Sequence, residues 1–191
     1  MPQFSEKDAL LIVDTQNCFM PDGTVPVPDG DEVVPVLNRW IEKAQREGVF
    51  IAASRDWHPP NHTSFEQQGG PWKPHCVQDT EGAAFHPDLR LPENAVVVSK
   101  GDDPDEEAYS AFQGTGLARK LREQGIETLW VGGLALDYCV KETVLDALRE
   151  GFDVRLIRSA TRAVNAEPGD GEKALREMRK AGASIVENAG S

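Results

Sequence analysis

The chain has 191 residues, enough for one domain with a full core, and its 39% apolar and 27% charged residues lie in the ordinary globular range. Its 20 basic and 32 acidic residues leave a net charge of −12, a surface that repels phosphate backbones and anionic membranes, so neither nucleic acid nor membrane is an expected partner. No apolar run approaches the roughly 20 residues that span a bilayer, and the first residues, Met1-Pro2-Gln3-Phe4-Ser5, show no signal-peptide pattern. Three cysteines, Cys18, Cys76 and Cys139, cannot all pair within one chain, and the expectation is a cytoplasmic protein with free thiols.

Residues 9–13 form an apolar run ending at Asp14 and predict a first strand. Val33, Val36, Leu37, Trp40, Ile41 and Ala44 recur at three- and four-residue steps, which predicts an amphipathic helix with Asp31 as N-cap and Gly48 past its end. Strands follow at 49–53 and 95–98, then a helix at 117–124 ended by Gly125. A fourth strand at 127–131 leads through a turn to a helix that stops at Gly151. A strand at 154–157, a helix at 171–181 and a short strand at 184–186 complete the chain. This alternation predicts a three-layer α/β sandwich, with a central, mostly parallel six-stranded sheet and helices on both faces, as one domain over residues 1–191. The stretch 55–94 has little periodicity and much His, Pro, Trp and Gly, and a loop of that length in a compact domain is usually functional.

Three polar residues stand at or just past strand ends: Asp14, Lys100 and Cys139. Sites in parallel sheets form at the carboxyl ends of the strands, so the three can converge on one pocket. Cys139 lies at a strand-to-helix turn, where the positive end of the helix dipole favours thiolate, the nucleophilic form. A buried cysteine there is otherwise plain core, and the joint placement favours chemistry. Asp14 would accept the thiol proton, and Lys100 would hold the negative charge of both groups.

The second constellation is Asp56-Trp57-His58, with His62 and His75, so that three of the four histidines fall within 18 residues. Asp56 and His58 share a face if the backbone is extended. His75 would complete a mixed O,N,N set that suits a divalent zinc, iron or manganese ion better than calcium. Cys76, next to His75, reads as packing. Among the aromatics Phe19, Trp57, Trp72 and Tyr109, whose default is the core, Phe19 and Trp72 are placed to clamp a flat ring.

These segments resemble the nicotinamidases and pyrazinamidases of the isochorismatase-like cysteine hydrolases. The residues that carry the resemblance are Leu11-Ile12-Val13-Asp14-Thr15-Gln16-Asn17-Cys18-Phe19, then Ser54-Arg55-Asp56-Trp57-His58-Pro59-Pro60-Asn61-His62-Thr63-Ser64-Phe65, then Trp72-Lys73-Pro74-His75-Cys76-Val77-Gln78, Lys100-Gly101, Tyr109-Ser110-Ala111-Phe112, and Gly132 through Val140. The resemblance implies a catalytic triad of Asp14, Lys100 and Cys139 and a metal held by Asp56, His58 and His75, zinc foremost. It implies a cis peptide between Leu134 and Ala135, an oxyanion hole from the N–H groups of Ala135 and Cys139, and substrate contacts from Phe19, Trp72, Tyr109, Leu134 and Ala135. The implied activity is hydrolysis of nicotinamide to nicotinate and ammonia within NAD salvage, with pyrazinamide also accepted, by a protein that could be a homo-oligomer. Cys18 departs from the family, many members carrying a polar residue there, and the role of His62 is open. The alternatives are hydrolysis of another small amide, such as an N-carbamoyl compound, or a catalytically silent binding protein on the same scaffold.

Overall fold

The computed structural model describes residues 2–187. Six strands form the sheet: β1 Asp8–Val13, β2 Phe50–Asp56, β3 Val96–Lys100, β4 Thr128–Leu134, β5 Asp153–Arg162 and β6 Ser184–Val186. Their order is β3-β2-β1-β4-β5-β6, and every pairing is parallel, which tightens the expected "mostly parallel" sheet. Four α-helices flank it: α1 Val33–Arg46, α2 Leu117–Glu123, α3 Lys141–Arg149 and α4 Asp170–Ala181.

The period of two along β1 divides the core. Leu10 and Ile12 face the α1 layer with Leu37, Trp40 and Ile41, whereas Ala9, Leu11 and Val13 face the layer of α2, α3 and α4 with Leu121, Val144 and Met178. All six β1 residues are buried, as a central parallel strand covered on both faces requires. On the α1 side Phe4, Trp40 and Trp130 pack edge-on or tilted with centroids 5.2–5.7 Å apart, and Trp130 Nε1 donates to Asp8 Oδ2 at 2.8 Å. That hydrogen bond satisfies the one polar atom the indole brings into the core.

Several boundaries differ from expectation. β4 runs on through Gly132-Gly133 to Leu134, where the sequence suggested a turn, and β5 continues past Ile157 to Arg162 although Arg158, Ser159 and Arg162 break the apolar run. Asp31 caps nothing: it sits in a 3₁₀ turn, Gly30–Glu32, that leads directly into α1. The expectation of three free thiols is also corrected. Cys18 and Cys76 are joined as a disulfide with Cα atoms 5.6 Å apart across 58 residues, and among the described residues Cys139 is the free cysteine. Cysteine spacing names no partners; the return of the long loop onto the segment after β1 makes this pair. Among the described residues no helix is long and apolar enough to cross a membrane.

Candidate active site and metal centre

The carboxyl ends of β1, β2, β3 and β4 lie side by side, with Val13 opposite both Ser54 and Gly133, and Asp56 opposite Lys100. Asp14 follows β1 directly, fully buried, with its backbone turned to φ 43°. Its N–H donates to the Ser54 carbonyl at 3.1 Å, and the Ser54 hydroxyl donates to Asp14 Oδ1 at 2.7 Å. Lys100, the last residue of β3, sends its ammonium between the two carboxylates: Nζ lies 2.8 Å from Asp14 Oδ2 and also donates to Asp56 Oδ1. The same Nζ is 3.4 Å from Cys139 Sγ and 3.4 Å from the Ala108 carbonyl. Asp14, Asp56 and Cys139 bring one polar atom each within 4.8 Å of one another.

Cys139 does not sit at the first turn of an α-helix. It lies inside a π-helical turn, Leu136–Val140, that precedes α3. The surroundings of Cys139 work against the expected thiolate. Burial pushes the Cys139 thiol well above its usual range, Lys100 opposes that, and the charges of Asp14 and Asp56 with an Asp14 hydrogen bond add to the rise. These influences favour a thiol beside a carboxylate. Burial raises Asp14 too, against the pull of Lys100. For Lys100 burial opposes the charge, yet the carboxylates of Asp14 and Asp56 outweigh it and hold the ammonium firmly protonated. A fixed cation between an acid and a thiol lets the proton move between them without a net charge appearing in the core.

The Asp56, His58 and His75 donors converge within 4.8 Å, all three residues buried. Asp56 uses Oδ1 for Lys100 and turns Oδ2 toward His75, 4.0 Å from Nε2. His58 Nδ1 contacts the His75 carbonyl at 3.1 Å, and His75 Nδ1 the Lys73 carbonyl at 2.8 Å. A carbonyl can only accept, so each Nδ1 carries the proton and each Nε2 keeps a lone pair. His58 Nε2 is buried without a hydrogen-bond partner, the signature of a ligand that a cation satisfies. Burial, with neighbouring His75, lowers the His58 pKa to about 3, so the ring is neutral, as coordination requires. These residues fit a divalent ion of the zinc, iron or manganese kind. His62 is engaged elsewhere: Nε2 donates to the Glu106 carbonyl at 3.0 Å and Nδ1 accepts from Ser64 Oγ at 2.7 Å, so it fastens the loop.

Both constellations open on one cavity of about 440 Å³, mouth included. Phe19, Trp72, Tyr109 and Ala135 line it with Asp56, His58, His75 and Cys139. Trp72 Nε1 donates to Tyr109 Oη at 3.0 Å, which ties two aromatic walls together. The peptide between Leu134 and Ala135 is cis, but the Leu134 side chain packs into the α1-side core and does not line the cavity. Trp57 stays outside the cavity under the Arg55 guanidinium, 3.7 Å from its ring centroid.

Several site residues escape sequence reasoning. Tyr138 is a cavity wall, 5.1 Å from Trp72 between ring centroids. Ser54 orients Asp14, a role that its place at the head of the 54–65 segment did not disclose. Gln16 clamps the Asp56 backbone, accepting its N–H at 2.8 Å and donating to its carbonyl at 2.8 Å.

The isochorismatase domain profile matches residues 8–189. This chain belongs to the isochorismatase family. Within it, a nicotinamidase of Escherichia coli (strain K12) is 44% identical, the alignment covering 93% of each chain. The structure of a pyrazinamidase of Pyrococcus horikoshii in complex with zinc superposes with a TM-score of 0.91 at 49% identity, over 95% of this chain and 99% of that one. An L. infantum structure in complex with nicotinate superposes with a TM-score of 0.86 at 35% identity, over 96% and 94% of the two chains.

Proposed function

We propose that this isochorismatase-family chain hydrolyses nicotinamide to nicotinate and ammonia, and pyrazinamide likewise, with Cys139 as nucleophile and a divalent ion, zinc foremost, held by Asp56, His58 and His75. One observation carries the reading. An Asp–Lys–Cys cluster and an Asp–His–His ligand set share one small aromatic-walled cavity, in a chain 44% identical to a nicotinamidase.

The amide sits with its ring between Phe19 and Trp72 and its carbonyl carbon over Cys139 Sγ. When bound, the ion supplies a Lewis-acid anchor for the ring nitrogen, directly or through water. Asp14 takes the Cys139 proton as the sulfur attacks the carbonyl carbon. The N–H groups of Ala135 and Cys139 receive the oxyanion. Asp14 then delivers its proton to the departing nitrogen, which leaves as ammonia, and a thioester remains. Asp14 then deprotonates a water that attacks the thioester carbon, the C–S bond breaks to release the acid, and Asp14 returns the proton to the Cys139 sulfur. Lys100 stays charged throughout. Its ammonium is committed to Asp14 and Asp56, which leaves no basic anchor in the cavity for an anionic N-carbamoyl substrate.

The test is ammonia release from nicotinamide, pyrazinamide and benzamide by zinc-loaded protein. Benzamide keeps the ring and carboxamide but lacks the ring nitrogen. Its kcat/KM should fall by about two orders of magnitude or more, since a site built around one polar contact rejects analogues without it. Cys139→Ala should release no ammonia at unchanged thermal stability. Equal kcat/KM for benzamide and nicotinamide would remove the assigned ring-nitrogen anchor, and an active Cys139→Ala would remove the thioester route.

A further inference from the structure

The disulfide takes no part in the chemistry above, yet it lies one residue from two walls of the cavity. Phe19 follows Cys18, and His75 precedes Cys76. The Phe19 and His75 rings meet at 5.8 Å on the cavity wall. Cys76 also holds the other histidine: its carbonyl accepts the His58 N–H at 3.0 Å, beside the contact from His58 Nδ1 to the His75 carbonyl. The backbone of Cys76 stands at φ 45°, a region that residues with a Cβ avoid. Both cysteines are 1% exposed within the α1-side core. Hydrogen bonds also tie the segment after β1 to the long loop, from Asn17 N–H to the Ala84 carbonyl, Asn17 Nδ2 to the Glu81 carbonyl, Gln16 Nε2 to the Ala83 carbonyl and His86 N–H to the Thr15 carbonyl, but these fasten residues 81–86, whereas the bridge ties that segment directly to the residue beside His75.

We propose that the Cys18–Cys76 bridge is a positioning brace for the ion-binding histidines and the Phe19 ring wall, so that the redox state of this pair sets the metal affinity of the site. The inference rests on the reading of Asp56, His58 and His75 as the metal holders. The bridge forms when the two thiols give two electrons and two protons to a small-molecule disulfide, which leaves as two thiols. A dithiol reverses the step and closes to its own cyclic disulfide. With the bridge open, Cys76 is free to leave its positive-φ conformation, and His75 and the His58 backbone lose their covalent reference to β1. Because the sulfurs are buried, the bridge behaves as a brace set at folding and resists reagents acting on the native protein.

Thiol titration of denatured, unreduced protein should give one thiol per chain, and three after dithiothreitol. Three without reductant would overturn the bridge. Zinc affinity is then compared in oxidised wild type, wild type refolded in dithiothreitol, and Cys18→Ala. Loss of ligand support costs about 10–100-fold in metal affinity, and a weakening of that order is expected in the last two. Unfolding the reduced protein and refolding it in glutathione disulfide should restore wild type and leave Cys18→Ala unchanged. At saturating zinc, kcat should stay within about twofold while the KM for nicotinamide rises, because Phe19 moves and the Asp14–Lys100–Cys139 cluster does not. Equal zinc affinity in all three forms, even with a lower Tm for the reduced ones, would reduce the bridge to a stabilising link and overturn the brace. Absence of zinc binding in oxidised wild type would instead overturn the metal reading beneath it.

Discussion

Gly101→Ala is a sharp test of where His58 stands. Gly101 follows Lys100 at φ 66°, and a Cβ there would lie 2.7 Å from His58 Cδ2 and 2.8 Å from His58 Nε2. Ordinary contact begins near 3.4 Å, so the imidazole must retreat by roughly 0.6 Å, beyond the ±0.2 Å that ligand distances tolerate. Two costs follow. The left-handed backbone costs a residue with a Cβ about 1–2 kcal/mol, and displacement of the ring weakens the Nδ1 hydrogen bond to the His75 carbonyl, worth about 1 kcal/mol net. Metal-free protein should therefore lose about 2–3 kcal/mol of stability. Zinc affinity should fall about 10–100-fold, the usual cost of disturbing the support of a metal ligand. Gly114→Ala is the control, because Gly114 has φ 70° with nothing within 4 Å of its would-be Cβ. It shares the backbone cost without the clash and should bind zinc as wild type does. Urea denaturation in chelator gives the stabilities, and competition against a chromophoric chelator gives the zinc constants. Wild-type zinc affinity in Gly101→Ala, or equal losses in the two variants, would refute the placement of His58 as a ligand pressed against Gly101.

Two further outcomes separate the halves of the site. Ser54→Ala removes the 2.7 Å hydrogen bond to Asp14 Oδ1; a hydrogen bond to a charged group is worth about 1.5–3 kcal/mol, so kcat/KM should fall about 10–100-fold with zinc affinity within twofold of wild type, measured by ammonia release and chelator competition. Lys100→Met leaves Asp14 and Asp56 buried without their cation and should cost about 3–5 kcal/mol in urea denaturation, together with all hydrolysis. Adding Asp14→Asn should return part of the stability and none of the activity, whereas a Lys100→Met protein as stable as wild type would mean that the ammonium does not compensate those carboxylates.

The sequence is legible where one period dominates. The unbroken apolar run of β1 and the three- and four-residue steps of α1 reflect burial on two faces and on one stripe, and both elements appear close to their expected places. Legibility fails where tertiary contact overrides local pattern. β5 reads as four residues and runs for ten, since its later half is held by β4 pairing to Thr161 and Arg162 beyond a register shift. The thiolate expected at Cys139 rested on a helix dipole; burial and two carboxylates oppose it, and neither is visible from residues so distant in sequence. The strand-end rule did bring Asp14, Lys100 and Cys139 together because every strand is parallel, so their carboxyl ends share one edge. Ser54 and Gln16 were missed because their work is to hold another residue, and only the register of β1 against β2 reveals it.

The two halves of the site meet in a single carboxylate. Asp56 gives Oδ1 to Lys100 and turns Oδ2 toward His75, so one side chain serves the charge balance of the proposed triad and the proposed ligand set at once. Its backbone is clamped at both N–H and C=O by Gln16 from the segment after β1, the segment that also holds Asp14 and Cys18. The clamp holds the Asp56 backbone, so a backbone shift toward Lys100 is opposed by the loss of two buried hydrogen bonds. Because each oxygen faces a different neighbour, the clusters share a small cavity without competing for the same oxygen. This division is also why Ser54→Ala should affect chemistry alone, whereas loss of Lys100 must disturb both chemistry and the ligand set: Ser54 touches the carboxylate that serves one half, and Lys100 touches the carboxylate that serves both.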